Sequence, residues 1–496
     1  MAEKKSSARD ASPAAKAKLR SIGEGAAGAP APTKVVHLSR EERAARGKAA
    51  RADMPLASLA VLGPVADRDP VALLEEQAVT RVPDLVPIRY GRMLTSPFAF
   101  YRGGALLMAL DLGATPSSRL KAQLCGDAHL SNFGVFGSPE RRLVFDANDF
   151  DETLPGPFEW DVKRLAASVE IAGRANGWKS KDRRRAVVAA GAAYRNAMRE
   201  FATMTNLAVW YASADVDSAV AQFGSQLRPD RLKVTQAALA KARTRDSMQA
   251  FSKLTTTVDG VPRIKADPPL VVPIEDLIGS VDVDELYHQI RQLVRSYRRT
   301  LQPDRRVLLE QFELVHMARK VVGVGSVGTR AWILLMRGVD GSDPMFLQAK
   351  EANASVLERV AGASKFANHG QRVVNGQHLM QASSDIFLGW QRTVGTDGVD
   401  RDFYLRQLRD WKGSFDPEQM LPEGMALYAG LCGWTLARAH ARSGDRVAIA
   451  AYLGGKDTFE QAIADFASSY ADVNERDHAA LGAAVADGRV TAVSGL

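Results

Sequence analysis

The sequence of 496 residues has little of several features that mark specialised classes of protein. It contains only two cysteines, Cys125 and Cys432, which are too few for a disulfide framework and lack the paired spacing of a structural zinc site. The most apolar stretch, residues 104–112, is interrupted by Asp111 and is too short to cross a bilayer. The opening residues have no apolar signal-peptide core. We therefore expect a cytoplasmic protein without a membrane partner.

Hydrophobic residues make up 46% of the chain and charged residues 25%, the balance of a globular protein with a large core. The positive charge is unevenly distributed. Residues 1–51 contain twelve Lys and Arg against five Asp and Glu, which accounts for +7 of the formal net charge of +8. This segment is rich in Ala, Gly, Pro and Ser and has no aromatic residue, so we predict a disordered basic tail. We expect no nucleic-acid partner beyond weak contacts of that tail with phosphates.

The periodicity of apolar residues predicts an α+β fold. Residues 52–310 have mainly helical spacing, including a predicted helix at 96–112, with short strand patterns near 120–145 and a long helical insertion behind them. Residues 311–412 contain most of the strand patterns, interrupted by a predicted helix at 355–380. Residues 413–496 return to helical spacing. We predict a mainly helical lobe, a β-rich lobe and C-terminal helices that pack on the helical lobe.

Two short segments contain the residue types needed for metal-assisted chemistry. Residues 126–132 read Gly-Asp-Ala-His-Leu-Ser-Asn, and residues 145–151 read Phe-Asp-Ala-Asn-Asp-Phe-Asp. If these segments converge, Asp127 provides a base, while Asn132 and a later carboxylate provide oxygen ligands for Mg²⁺. Asp146, Asp149 and Asp151 are all candidates for that carboxylate. The spacing from Asn132 favours Asp146, and a turn-capping role is favoured for Asp151.

These segments resemble the catalytic and metal loops of the protein-kinase-like superfamily, most closely those of aminoglycoside and other small-molecule phosphotransferases. Their catalytic loop commonly reads His-Gly-Asp-x-His-x-x-Asn. Cys125 replaces the first His, and the four other identities match at Gly126, Asp127, His129 and Asn132. The resemblance implies that Asp127 is the catalytic base, that Asn132 and Asp146 hold Mg²⁺, and that His129 contacts a phosphate or supports the loop.

Asp161 follows Pro157 and Trp160 where these phosphotransferases have a similar pattern. The resemblance implies that its carboxylate holds the catalytic loop through backbone N–H groups. Because Asp is also a common helix N-cap, capping is the favoured interpretation for this residue taken alone.

A second constellation consists of a glycine-rich turn and a lysine. Residues 323–328 read Gly-Val-Gly-Ser-Val-Gly between two strand patterns, and Lys350 ends a third. A Rossmann fingerprint opens a helix, whereas a strand follows here, so the pattern resembles the phosphate-covering hairpin of kinases. The resemblance implies that the turn covers the phosphates of ATP and that Lys350 holds them. It also implies that Glu358 pairs with this lysine. The backbone of the hinge near Gln407 would bind adenine. The phosphate-covering residues are Gly323, Gly325, Ser326 and Gly328.

The two constellations occur in the reverse of the kinase order, so we predict a circularly permuted, bilobal protein-kinase-like fold. The arrangement also resembles a widespread bacterial family without an assigned function, including segments 98–103 and 405–412. The implied activity is an ATP- and Mg²⁺-dependent phosphotransferase acting on a hydroxyl of a small molecule or protein. A nucleotide-binding pseudokinase or regulator, and a metal-dependent hydrolase built on residues 146–151 with His129, are the alternatives.

Overall fold

The computed structural model describes residues 36–63, 65, 68–223, 225, 228–278, 282–395, 397–408 and 410–495. By their contacts, residues 1–42 and 43–496 form two units. The described part of the first unit, residues 36–42, comprises an irregular stretch and the first residues of a helix. The second unit contains all the elements that position the candidate site.

The described chain is α+β, as predicted. Its helices are α1 Arg40–Asp53, α2 Pro70–Ala78, α3 Val86–Met93, α4 Pro97–Gly103, α5 Ala105–Gly113, α6 Phe158–Ala175, α7 Ser180–Thr203, α8 Asn206–Tyr211, α9 Val216–Phe223, α10 Pro229–Arg243, α11 Ser247–Leu254, α12 Ile274–Ile278, α13 Val283–Arg298, α14 Pro303–Leu309, α15 Glu358–Ala361, α16 His369–Met380, α17 Pro422–Ser443, α18 Arg446–Leu453 and α19 Thr458–Ala486. Its strands are β1 Lys121–Leu124, β2 Phe133–Gly137, β3 Leu143–Ala147, β4 Leu154–Pro157, β5 Ala214–Asp215, β6 Thr255–Val258, β7 Val261–Ile264, β8 Val271–Pro273, β9 Glu313–Lys320, β10 Ala331–Arg337, β11 Pro344–Ala352, β12 Gly389–Val394 and β13 Asp400–Gln407. In this part of the chain, no helix combines the length and the hydropathy needed to cross a membrane.

The largest apolar core is built from helices that are far apart in sequence. Helix α17 packs along α7, and α19 packs against α6 and α7. Two glycines permit the close approach, because a Cβ on Gly433 would collide with the Ala190 carbonyl and one on Gly191 would lie 2.8 Å from the Cβ of Glu460. The C-terminal helices therefore complete the core around β1 and the segments that follow it.

A six-stranded antiparallel sheet, in the order β12-β13-β11-β10-β9-β8, forms the second part of the fold. Alternate residues of β10 face opposite sides of the sheet. Leu334 and Met336 join an apolar cluster with α13, whereas Ile333 and Leu335 join a separate cluster with α11. Helices before residue 310 thus cover both faces of the sheet, and the predicted lobe boundary at residue 310 is wrong. A sheet that is buried on both faces needs apolar cover, and the preceding helical block supplies it.

Three local predictions also need correction. The predicted helix 96–112 is two helices that meet at Gly104, and the predicted helix 355–380 is helical only over α15 and α16. The predicted tail 1–51 lies partly outside the described residues, which begin at residue 36. Disorder is wrong for residues 40–51, which belong to α1. Gly47 is buried against Ala448, whose carbonyl would collide with a Cβ at that position.

Candidate functional site

The loop that carries Asp127 follows β1 and is held by Asp161. The Asp161 carboxylate accepts hydrogen bonds from the backbone N–H groups of Cys125 and Gly126, at 2.8 and 3.0 Å. Nε2 of the buried His440 lies 3.2 Å from the same carboxylate. Asp161 is not the N-cap of α6, because Pro157 occupies that position. The capping interpretation is therefore wrong, and the loop-holding role implied by the resemblance is the one that the structure has.

Gly126 brings the two acidic segments into contact. Its φ of +83° lies in the left-handed region, and a Cβ there would collide with the backbone carbonyl of Glu152. The two segments are also joined directly, because the backbone N–H of Asn148 donates to the carbonyl of Asn132 at 2.8 Å. Residues 125–132 and 148–152 consequently form one continuous surface.

Asp127 lies on that surface, partly exposed, in an ion pair with Arg164. Nε and Nη2 of Arg164 lie 2.8 and 2.7 Å from Oδ1 of Asp127, and Oδ2 faces Nε2 of His129 at 3.7 Å. Burial raises the pKa of Asp127 to about 6, although the charge of Arg164 opposes the shift. The side-chain nitrogen of Asn132 donates to the backbone carbonyl of Asp127 at 2.7 Å, which leaves the amide oxygen as the end available to a ligand.

His129 is almost completely buried beside Asp127. Its Nδ1 has no hydrogen-bond partner. Burial, reinforced by the positive charges of Arg102 and Arg164, lowers the pKa of His129 well below its ordinary value. The imidazole is therefore neutral at physiological pH.

Lys350 joins the sheet to the acidic segments. It lies opposite Ala331 in the β10–β11 pair, and Ala331 follows Gly328 by three residues. Its buried ammonium forms an ion pair with Asp151 and lies 3.6 Å from Oδ2 of Asp149. Burial lowers the pKa of Lys350, but the two carboxylates outweigh it and the pKa is raised above its ordinary value. The late lysine and the early acidic loop, which the sequence placed in separate motifs, therefore meet.

Glu358 does not pair with Lys350, and that prediction is wrong. The Glu358 carboxylate accepts hydrogen bonds from the backbone N–H groups of Ser355 and Ser364, at 3.1 and 3.2 Å. The acids near Lys350 are Asp149 and Asp151, and Asp151 also accepts a hydrogen bond from the Tyr404 hydroxyl at 2.8 Å. The turn-capping interpretation of Asp151 is therefore also wrong.

Asp146 is committed to the protein interior. Arg438 donates to its Oδ1 at 2.6 Å, and the backbone N–H groups of Ala147 and Ala382 donate to Oδ1 and Oδ2 at 2.9 and 3.0 Å. These contacts argue against its predicted role as a metal ligand. Asp146 lies within strand β3, whereas Asp149 lies in the loop after it, and this difference was a usable signal in the sequence. Within the ranges that the structure describes, no group of three or more His, Cys, Asp or Glu side chains is placed to hold a metal ion.

The glycine-rich turn lies between β9 and β10 and rests on the helical part of the protein. It contains Gly323, Gly325, Ser326 and Gly328. Gly323 and Gly328 have φ values of +65° and +90°. Nη1 of Arg92 donates to the carbonyl of Gly323 at 2.7 Å, and a Cβ on Gly325 would lie 2.8 Å from the carbonyl oxygen of Arg102. The carbonyl of the adjacent residue, Tyr101, accepts a hydrogen bond from Arg164, so the turn and Asp127 share one structural support.

A cavity of about 650 Å³ lies beside the segment that follows β13. Its lining includes Asn148, Arg406 and Gln407. The backbone N–H of Gln407 donates to Asp385, and that of Leu408 donates to the carbonyl of Phe346. Protein acceptors thus occupy these two N–H groups, and the predicted adenine contact would have to use other backbone groups of this segment. The side chain of Gln407 still borders the cavity, and Arg409 lies outside the described residues.

Together, these observations define an α+β protein. Its candidate site lies where the two acidic segments, residues 125–132 and 148–152, meet Lys350 of the antiparallel sheet. Residues 81–484 match the family described as "Uncharacterized protein conserved in bacteria (DUF2252)". The match covers most of the chain, and the protein belongs to this family. Searches of curated proteins and of solved structures gave no match.

Proposed function

We propose that the protein is an ATP- and Mg²⁺-dependent phosphotransferase with a permuted protein-kinase-like fold, acting on a hydroxyl of a small molecule or protein. One observation carries the proposal. Lys350, on the third strand counted from the glycine-rich hairpin, reaches Asp149 and Asp151 beside the Asp127 loop. In protein kinases a lysine on the third strand and an aspartate of the metal loop act on the same nucleotide phosphates.

The donor set suits a magnesium–nucleotide complex. The charge of Lys350, followed by that of Arg406, lowers the pKa of Asp149 despite the opposing effect of burial, so this carboxylate is ionised at neutral pH. Asp149 and the amide oxygen of Asn132 are the oxygen ligands that a hard cation prefers. When bound, Mg²⁺ would neutralise charge on the phosphate oxygens. Lys350 would hold the phosphates, and the glycine-rich turn would cover them.

Asp127 would act on the acceptor. Arg164 holds its Oδ1, leaving Oδ2 to accept the proton of the hydroxyl. As that proton leaves, the hydroxyl oxygen forms a bond to the γ-phosphorus, the bond from this phosphorus to the β–γ bridging oxygen breaks, and ADP departs. Because the transition state is loose, catalysis depends mainly on positioning and charge stabilisation, and the arrangement of Asp127, Asp149 and Lys350 suits that requirement.

The chain connectivity supports the permuted fold. A chain with the kinase order would run from the β-rich lobe into the strand that precedes the catalytic loop. Here the end of α17 lies beside the start of that strand: the backbone N–H of Gln123 donates to the Ser443 hydroxyl at 3.1 Å, and a Cβ on Gly444 would lie 2.9 Å from the carbonyl oxygen of Lys121. The chain after β13 thus comes close to β1 in space, although it is not joined to β1 in sequence.

The 650 Å³ cavity is our proposed site for the nucleotide base. Its volume lies within the range of small-molecule sites. It borders the metal loop at Asn148, the residue before Asp149. The base would contact the side chains of Arg406 and Gln407 rather than the hinge N–H groups.

The test is Mg²⁺-dependent ATP turnover, measured together with binding of a non-hydrolysable ATP analogue. Asp127→Asn should lower turnover by about 10²–10⁴-fold and leave analogue binding unchanged, since the base is lost but the nucleotide site is intact. Asp465→Asn, at an exposed position on α19, is the matched control and should behave as wild type. A wild-type chain that does not bind the analogue, or an Asp127→Asn variant with undiminished turnover, would contradict the proposal.

A second candidate function is a nucleotide-binding regulator. The ion pair with Arg164 engages one oxygen of Asp127, and Cys125 replaces the histidine that commonly begins the motif. Analogue binding by the wild type, without transfer of phosphate to any acceptor or to water, would favour this function.

A further inference from the structure

Arg102 presents a cation without a partner beside Asp127. Its Nε is buried and has no hydrogen-bond partner. No residue in the described part of the chain forms a hydrogen bond or ion pair with this guanidinium. Burial of this N–H without a partner is unfavourable, and the terminal nitrogens of the half-buried side chain reach solvent, where they can bind an anion.

The position of Arg102 is fixed from two sides. The guanidinium of Arg164 donates to the carbonyl of Tyr101 at 2.8 Å and to Oδ1 of Asp127 at 2.8 Å. Because Tyr101 precedes Arg102, these hydrogen bonds link the backbone next to Arg102 to the base. On the other side, the backbone of Arg102 lies close to the glycine-rich turn, because a Cβ on Gly325 would be 2.8 Å from the carbonyl oxygen of Arg102. Arg102 therefore belongs to a segment that is linked to the base through Arg164 and lies close to the glycine-rich turn.

A second unsatisfied group lies at the same place. His129 is 4% exposed, and its Nδ1 has no hydrogen-bond partner. Its ring faces Asp127 through Nε2 at 3.7 Å. The carboxylates whose charges act on Arg102 are Asp127, Glu418 and Asp416, and none of them lies within ion-pair distance of its guanidinium. Beside Asp127 there are thus a guanidinium without a hydrogen-bond partner and a neutral imidazole whose Nδ1 lacks one.

We propose that Arg102 binds an anionic group, a phosphate or a carboxylate, on the acceptor whose hydroxyl is deprotonated by Asp127. This inference rests on the proposed phosphotransferase function and names its substrate class. The planar guanidinium suits two-point binding of either anion. A cationic group at the position of the bound anion would be disfavoured, because it would face the charge of Arg102.

The test is equilibrium binding of inorganic phosphate, and in parallel of acetate, to the full chain saturated with Mg²⁺ and a non-hydrolysable ATP analogue. The wild type should bind at least one of the two anions, and the tighter one indicates which group the acceptor carries. Arg102→Gln should weaken that binding by about tenfold or more, because charge-assisted hydrogen bonds are lost. Arg102→Lys keeps the charge but loses the planar guanidinium that binds an anion at two points, so this variant should bind the anion with intermediate affinity.

Arg185→Gln is the matched control. It removes one arginine charge from an exposed position on α7 and should leave anion binding unchanged. Absence of binding of both anions by the analogue-loaded wild type, or equal affinity in a folded Arg102→Gln variant, would overturn the inference. Competition between the anion and the analogue would also overturn it, by assigning Arg102 to the γ-phosphate of the nucleotide. A chain that fails to bind the analogue contradicts the phosphotransferase function, whereas one that binds the analogue but no anion contradicts only the anionic acceptor.

Discussion

Lys350 and Asp151 form an ion pair although about 200 residues separate them in the chain. The lysine belongs to the six-stranded sheet, and the aspartate belongs to the loop that follows β3. Asp149 lies close enough to share the same ammonium group. This contact fixes the glycine-rich hairpin relative to the Asp127 loop, and it predicts how the protein responds when the charges are removed.

Lys350→Met should destabilise the protein, because it leaves Asp149 and Asp151 facing each other without a cation. Their side chains are 31% and 24% exposed, so we expect a loss below the roughly 3–5 kcal/mol typical of a fully buried pair that loses one partner. The loss should diminish at acidic pH, where the carboxylates become neutral. Urea denaturation measures the effect. The double variant Lys350→Met/Asp151→Asn should recover part of the stability, and an equally unstable double variant would contradict the explanation.

Asp149→Asn and Asp146→Asn should change different properties, the Mg²⁺ requirement in the first variant and the stability in the second. The first should raise the Mg²⁺ concentration needed for ATP turnover, since it weakens the proposed metal ligand, while thermal stability changes little. The second should leave the Mg²⁺ requirement unchanged and lower stability by on the order of 3 kcal/mol, because the buried Arg438 loses its counter-charge. Magnesium titrations and thermal unfolding of both variants measure these effects. A raised Mg²⁺ requirement in Asp146→Asn but not in Asp149→Asn would show that Asp146 is the metal ligand, as the spacing in the sequence predicts.

The rate of the proposed phosphotransfer should fall in acid with a midpoint near pH 6. Burial raises the pKa of Asp127 to about 6, and the base acts only when it is deprotonated. The rate should therefore rise from pH 5 to pH 7. Glu152 is a necessary control, because burial raises its pKa to about 7. The pH dependence of kcat/KM in Glu152→Gln should keep the midpoint near 6, and its disappearance in that variant would show that Glu152 is the titrating group.

Gly126→Ala should damage the site more than a comparable glycine substitution elsewhere. Gly126 and Gly177 have φ values of +83° and +70°, so an alanine at either position carries about 1–2 kcal/mol of backbone strain. Only at Gly126 would the new Cβ collide with the protein, at the carbonyl of Glu152, since nothing lies within 4 Å at Gly177. Gly126→Ala should therefore lose additional stability and weaken binding of the ATP analogue. Equal unfolding free energies for the two variants would contradict the collision.

The sequence predicts the local contacts of this protein better than its long-range ones. The position of Lys350 at the end of a strand, after a glycine-rich turn, follows from alternation and turn chemistry. The choice of Asp146 over Asp149 was wrong because loop spacing alone does not reveal that Arg438, almost 300 residues later, occupies the former carboxylate. The Glu358 prediction failed for the same reason, because the acids that contact Lys350, Asp149 and Asp151, lie about 200 residues earlier in the chain.

The helical cover of the sheet was missed for a different reason. The apolar spacing of helix α13 indicates an amphipathic helix but does not say which surface receives its apolar face. That face packs on β10 and β11, so the helix belongs with the sheet rather than with the Asp127 loop. The proposed role of Arg102 could not be predicted either, because the sequence does not show that the Nε of this helical arginine is buried without a partner.

Helix α17 has a consequence for biosynthesis. It contains both Arg438, the partner of Asp146, and His440, which contacts Asp161. Asp161 and His440 are 279 positions apart, so at about 5–20 residues per second the ribosome needs roughly 15–55 s to make the second after the first. During that interval the acidic loop has been synthesised without the helix that secures it. The nascent segment with the acidic loop therefore cannot reach its final packing until the last helices emerge, and chaperones would have that interval in which to act on it.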